Sequence, residues 1–346
     1  MDFMVNFEPA KIPAPINCRE KILLTGSCFT EHIGNALKES KFSILQNPNG
    51  ILFDPVSVCR SLISYADNKR YNGSDLFQLN EVWNSWQHHS RFSHIDKHAA
   101  LRNMNDSQEY AHEFLKQADW IIITLGSSFY YLLTREAIQA GELDDSTTLA
   151  SGKPGVANCH RAPAQWFQKY LLTIPEIVES LDLCMHRLLQ FNSKLKIIFT
   201  VSPVRHLRDG VVENNRSKAR LIEAVHHMVH KFDRLYYFPA YELVIDVLRD
   251  YRFYDIDLAH PNYMATDFVL QKFVDSCLDD ETKLLMEEMK KISLARKHRA
   301  FQPNTEAHRQ FLRSSAARAK LLQDKYPFLD LAEELEYFNS AQAINE

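Results

Sequence analysis

Short apolar runs separated by stretches of helical spacing set the rhythm of this chain. The first run, Ile22-Leu23-Leu24, breaks through Gly26 into Phe29, Ile33, Ala36 and Leu37, which share one helical face. Residues 41–45 read as a second strand, ending in the turn cluster Asn47-Pro48-Asn49-Gly50. Helical patterns follow over residues 56–65 and 106–117. Ile121-Ile122-Ile123-Thr124-Leu125 is too apolar for a wet face and predicts a central buried strand. Thr173-Ile174-Pro175-Glu176 opens a further helix, capped at Thr173 or Ile174, whose Ile177, Leu181, Cys184, Leu188 and Leu189 share a face. Residues 195–201 and 235–239 read as strands, with a helix over 214–231 between them. This alternation predicts an α/β fold: a mostly parallel sheet with helices on both faces, three layers in a flavodoxin-like order.

The rest of the chain is less regular. Residues 1–20 read as a loose arm, since Pro13 and Pro15 block regular structure. Residues 67–98, with Trp83, Trp86, His88, His89, Phe92, His94 and His98, read as an insertion or short hairpin covering a sheet edge. Residues 136–165 form a long loop that carries Asn158, Cys159 and His160. After a helix over 265–278 the chain becomes charged and helical, over residues 281–300, 306–325 and 331–338. The expected division is therefore a domain over 1–280 and a helical extension over 281–346, packed on it or used in a homodimer contact. Neither long helix sustains three heptads, which argues against a coiled coil.

Charge and cysteine usage narrow the classes. Of 346 residues, 40 are Lys or Arg and 44 Asp or Glu, so the net charge of −4 offers no basic field for nucleic acid. No apolar run reaches a membrane span, and the first ten residues lack the apolar core of a signal peptide. Cys18, Cys28, Cys59, Cys159, Cys184 and Cys277 fall in no CxxC pairing, so neither a zinc ribbon nor a disulfide framework is expected. The expectation is a soluble, cytoplasmic protein with no membrane partner.

Two short stretches carry candidate chemistry. Ser27 lies where a strand turns through glycine into a helix, at the sheet edge where open α/β sheets bind ligands. It suits a nucleophile beside unpaired helix N–H groups and equally suits a plain helix cap. Asp257 and His260 stand three apart in a loop, close enough for the carboxylate to orient the imidazole, which could then take a serine proton. Cys28 is a rival nucleophile, since a helix N-terminus favours the thiolate, although a neighbour of Ser27 should point into the core. The histidines at 88, 89, 94 and 98 lack HExxH spacing, and loop packing or substrate contact is a better account of them than a metal.

Gly26-Ser27-Cys28-Phe29 resembles the signature of the GSCFA domain family, a branch of the SGNH (GDSL-type) hydrolases. The resemblance runs to about residue 340 and includes Asn47-Pro48-Asn49-Gly50, Asn158-Cys159-His160, Ser202-Pro203-Val204, Tyr237-Phe238-Pro239-Ala240-Tyr241-Glu242 and Leu248-Arg249-Asp250-Tyr251-Arg252-Phe253-Tyr254. It implies an SGNH-type α/β/α fold with Ser27 as nucleophile, His260 as general base and Asp257 as its orienting partner. It further implies an oxyanion hole from the Ser27 N–H, the Gly50 N–H and an asparagine side chain. The chain departs from the pattern at three places. The fifth signature residue, usually Ala, is Thr30; Gly26 replaces the Asp before the serine; and Gly126-Ser127-Ser128 stands where SGNH enzymes carry Gly-x-Asn-Asp. The third donor is then Ser127, or Asn158 from the long loop, while Cys28, His160 and His88 are candidate substrate contacts.

The resulting expectation is a serine esterase that removes a small acyl group, acetyl above all, from a carbohydrate or related small ester, with no metal or organic cofactor. The alternatives are an acyltransferase with the same nucleophile, or a non-catalytic binding or scaffold protein on the same fold.

Overall fold

A computed structural model of the chain describes residues 5–140 and 155–343. Its first strand, β1 (Lys21–Gly26), runs into α1 (Phe29–Glu39) and then β2 (Ser43–Gln46) and α2 (Pro55–Asp67). A hairpin of β3 (Phe77–Leu79) and β4 (Val82–Asn84) precedes α3 (Lys97–Gln117). Next come β5 (Trp120–Leu125), β6 (Phe129–Leu133), α4 (Arg135–Ala140), β7 (Gly155–Val156) and β8 (Phe167–Leu171). They are followed by α5 (Ile174–Phe191), β9 (Lys196–Val201), α6 (Gly210–Lys231) and β10 (Leu235–Tyr237). A one-turn α7 (Ala240–Glu242) continues as a π-helical turn over Leu243–Leu248, and α8 (Tyr263–Cys277) closes this series.

The main sheet has the order β10-β9-β5-β1-β2, which for its strands in chain order is the flavodoxin-like 2-1-3-4-5. Parallel pairing joins β1 to β5, β5 to β9 and β9 to β10, with Gly26 level with Thr124, and Thr124 with Thr200. Alternate residues explain the two covered faces. Leu23, Ile121, Ile123, Ile197 and Phe199 pack in one core with apolar residues of α2, α3, α5 and α6. Ile22, Leu24, Trp120, Ile122 and Ile198, of opposite parity, are equally buried. Near-continuous apolar runs are what a sheet covered on both faces requires.

Several boundaries differ from the sequence reading for local reasons. Helix α3 begins at Lys97, well before residue 106, because Asp96 caps it by accepting the Ala99 N–H at 2.6 Å. The predicted long loop contains α4, and strands β7 and β8 flank β6 in a small antiparallel sheet. Part of that loop, residues 141–154, lies outside the described residues. The insertion at 67–98 contains the β3–β4 hairpin, with Phe77 and Trp86 stacked at 3.6 Å in a cluster with Leu133 and Val156.

Among the described residues the chain forms two compact units, and they do not divide at a single point. One is drawn from residues 5–10, 21–34, 44–140 and 155–273, the other from residues 11–20, 35–43 and 274–343. The second contains α9 (Asp280–Lys297), α10 (Glu306–Lys325) and α11 (Ala332–Ala343), with Met289, Ile292, Leu312 and Phe338 buried. Residues 11–20 are fastened within it: the Ile16 N–H donates to Cys277 O at 2.7 Å and the Cys18 N–H to Thr282 Oγ1 at 2.9 Å. Lys41 pairs with Glu334 at 2.9 Å in the same unit.

Helix α5 offers a direct test of the local code. Thr173 and Glu176 form a reciprocal capping box, the Thr173 N–H reaching Glu176 Oε2 at 2.7 Å. Thr173→Ala is expected to lower unfolding free energy by about 1 kcal/mol in urea titration, and an unchanged midpoint would contradict the cap.

Candidate active site

The carboxyl ends of β1, β5 and β9 meet at one sheet edge, and three turns leave from it. Gly26 occupies φ 137°, and a Cβ there would lie 2.1 Å from Thr124 O, so only glycine fits between the strand ends. This explains why glycine precedes the serine. The Gly26 N–H donates to Asn47 Oδ1 at 3.0 Å, which ties the Gly26-Ser27 turn to the Asn-Pro-Asn-Gly turn. Ser27 is 4% exposed, and its buried Oγ has no hydrogen-bond partner among the described residues.

The aspartate–histidine pair is well formed. His260 Nδ1–H donates to Asp257 Oδ2 at 2.6 Å, while Asp257 Oδ1 accepts the backbone N–H groups of Ala259 at 2.9 Å and His260 at 3.0 Å. The backbone N–H groups of His260 and Ala259, and then the His260 ring, hold the Asp257 carboxyl down at about 2. The loop itself is closed by a Tyr254–Pro261 bridge and by the Asp255 N–H donating to His260 O at 2.8 Å. Both side chains are about half exposed, and no hydrogen bond joins His260 to Ser27 among the described residues.

A histidine outside the expected set links these parts. A Cβ built on Gly126 would lie 3.4 Å from Ser27 Cβ and 3.5 Å from His206 Nε2, so His206 and Ser27 flank the same glycine. The His206 ring packs on Phe53 at 5.3 Å, and its backbone N–H donates to Asn214 Oδ1 at 2.9 Å. Neither ring nitrogen of His206 is hydrogen-bonded among the described residues. Burial foremost, then the positive charge of Lys218, brings its pKa down to about 4 and leaves the ring neutral. The preceding Arg205 donates its backbone N–H to Ala259 O at 3.0 Å, which fixes the 202–206 turn against the Asp257–His260 loop.

Lys218, on the inner face of α6, is wholly buried and donates to Gly126 O and to Ser202 O, both at 2.6 Å. Burial lowers its pKa to about 7, and the two carbonyls favour the ammonium form. One side chain thus braces the turns after β5 and β9. The sequence carried signals for both residues. His206 follows a predicted strand at the same edge as Ser27, and Lys218 falls on the buried helical stripe with Asn214, Leu221 and Val225.

The two expected backbone oxyanion donors are otherwise engaged. The Ser27 N–H donates to Thr124 O at 3.0 Å, and the Gly50 N–H closes its own turn on Asn47 O at 2.8 Å. Ser127 Oγ lies in a buried cluster, 3.2 Å from Ser217 Oγ, and accepts the Phe129 N–H at 3.0 Å. Asn158 Oδ1 accepts the His160 N–H at 2.8 Å.

Two successive family models cover most of the chain. The GSCFA family model matches residues 21–273, and that of the GSCFA domain protein, C-terminal domain, matches residues 289–343. The chain belongs to the GSCFA family. This GSCFA protein matches no curated protein sequence. Solved structures similar to it include a carbohydrate esterase family 3 protein from Talaromyces cellulolyticus, at TM-score 0.33 and 9% identity, covering 79% of this chain and 99% of that one. Another is the acetyl xylan esterase Est2A from the rumen bacterium Butyrivibrio proteoclasticus, at TM-score 0.33 and 11% identity, covering 76% of this chain and 64% of that one.

The remaining candidates in this GSCFA chain have structural surroundings. His88, expected as a substrate contact, is 1% exposed and faces the interior, with Nδ1 3.0 Å from Ser85 Oγ and Tyr71 edge-on at 4.7 Å. His160 Nε2–H donates to Ser85 O at 2.7 Å beside Phe77 and Trp86. His89 caps the short turn Ser90–Phe92, and His94 Nδ1 accepts the Asp96 N–H at 2.9 Å. No group of three or more His, Cys, Asp or Glu among the described residues is arranged to hold a metal ion. No described helix is long and apolar enough to cross a membrane. Burial raises the Cys28 thiol above its usual pKa, which works against the thiolate that a helix N-terminus would favour.

Burial also makes the fold acid-sensitive. It lowers His88 to about 3 and both His160 and His206 to about 4, from an ordinary 6.5. The unfolded chain therefore binds more protons than the folded one between pH 6.5 and about 4, and stability falls as pH falls through that window. Asp54, raised to about 6 by burial, and Glu242, also raised by burial, oppose this. Melting temperature is expected to drop steadily from pH 6.5 to 4, with a shallower drop in His88→Phe. A flat profile would rule out the neutral buried histidines.

Proposed function

We propose that this chain is a serine esterase that removes a small acyl group, acetyl above all, from a carbohydrate or related ester. The observation that carries the reading is the Asp257–His260 pair, joined at 2.6 Å and fastened through Arg205 to the turn whose His206 stands beside Ser27. In this reading Ser27 Oγ attacks the acyl carbonyl and His260 Nε2 takes its proton. Asp257 holds the tautomer and stabilises the imidazolium. The proton then passes to the leaving alcohol, and water, activated by the same imidazole, releases the acyl group. The exposed His260 ring must close onto the buried serine when substrate binds, as catalytic hydrogen bonds commonly tighten only in the complex.

With the backbone donors engaged, the neutral His206 imidazole is the free donor best placed for the developing oxyanion. Acyl transfer to another acceptor uses the same steps, with the acceptor in place of water. The engaged donors give the binding-protein reading its own support, and labelling separates it from both enzymes.

A fluorophosphonate should label the wild-type protein once. Labelling and p-nitrophenyl acetate hydrolysis should vanish in Ser27→Ala, persist in Cys28→Ala, and drop severely in His260→Ala. Folded wild type that takes no label would sink the triad and favour a binding protein. His206→Ala should lower kcat about 10²–10³-fold, as loss of one oxyanion donor does, with partial recovery in His206→Asn. An unchanged kcat in His206→Ala would remove that residue from the hole.

A further inference from the structure

Behind the Arg205–Ala259 contact lies an open cavity of about 230 Å³, lined by Arg205, Arg249, Asn214, Asn215, Tyr251 and Tyr254 among others. The Arg205 guanidinium stands 5.7 Å from the Tyr251 ring centroid and 5.8 Å from that of Tyr254, and donates to the Tyr251 hydroxyl at 3.3 Å. Neither Arg205 nor Arg249 pairs with a carboxylate among the described residues, whereas Arg187, Arg216 and Arg252 do. Asp250, the carboxylate at the cavity wall, is already taken by Arg252 at 2.9 Å. Arg249 sits at φ 42°, a left-handed conformation uncommon for a residue with a side chain, where it ends the π-helical turn.

Two guanidinium groups in one concavity, neither paired with a carboxylate among the described residues, suit a carboxylate ligand, which arginine grips through paired N–H groups. The tyrosines present flat amphipathic faces, and the asparagine amides can both donate to and accept from hydroxyls. The volume is below the roughly 300–1,000 Å³ of ordinary ligand pockets, so it suits one residue of a larger ligand. We propose that this cavity is a subsite for a carboxylate-bearing sugar, a hexuronate, in the glycan whose ester reaches Ser27; it rests on the esterase reading above. Asn214 joins the two places, since it lines the cavity and holds the His206 backbone N–H. The subsite would thereby select acidic glycans and set the register of the chain across the nucleophile.

Titration calorimetry on the full chain with methyl glucuronoside and methyl glucoside tests this without any ester being present. The glucuronoside should bind, and the glucoside about ten-fold more weakly or worse, the loss expected for a charge-assisted pair. Arg249 is exposed and makes no side-chain hydrogen bond or ion pair among the described residues, so Arg249→Gln should fold and lose the preference for the glucuronoside. Tyr251→Ala, the second variant, should weaken both sugars. Equal binding of the two sugars, or an unaltered preference in Arg249→Gln, would overturn the proposal. Displacement of the glucuronoside by equimolar inorganic phosphate would reduce the cavity to a simple anion site and overturn it as well. Glucuronoside binding with no fluorophosphonate labelling would fail the esterase reading alone, and labelling without selective binding would fail the subsite alone.

Discussion

Parallel pairing of β1, β5 and β9 is the constraint on which the site depends. It delivers three strand ends to one edge and sets Gly26 level with Thr124 and Thr124 level with Thr200. The spacing of the turns is then decided by backbone geometry before any functional side chain is placed. Gly26 shows how tight that geometry is, because a methyl group there would collide with the neighbouring strand's carbonyl. Lys218 completes the arrangement from below. Its two hydrogen bonds make the turns after β5 and β9 behave as one piece, at the cost of burying an ammonium group.

Much of this was legible in the sequence where the cause is local. The strand runs at 22–24, 121–125 and 195–201 are mostly apolar because both sheet faces are covered, and the α5 cap is written in four consecutive residues. Asp257 and His260 could be paired from sequence because they are three residues apart in one loop. The small β7-β6-β8 sheet escaped notice because Phe129–Leu133 does not alternate and Phe167–Leu171 carries Gln168 and Lys169. The arm at 11–20 was unreadable as structure because its partners, Cys277 and Thr282, lie more than 250 residues away in the chain.

The oxyanion donors illustrate the same limit from the other side. Family resemblance implies Ser27 N–H and Gly50 N–H, and both groups are present at the expected turns. Their hydrogen bonds, however, are set by Thr124 O and Asn47 O, and only the three-dimensional arrangement fixes those partners. His206 and Lys218 lay in plain view on a strand-end turn and a helix face. What they do depends on Gly126, which neither touches in sequence.

The orphaned hydroxyl of Ser27 has a thermodynamic consequence. Among the described residues nothing spends its hydrogen-bonding capacity, so a polar ligand and an apolar one of the same shape are not equivalent at that atom. A ligand that hydrogen-bonds there gains what one that merely fills the space does not. That difference is a matter of chemistry rather than of shape.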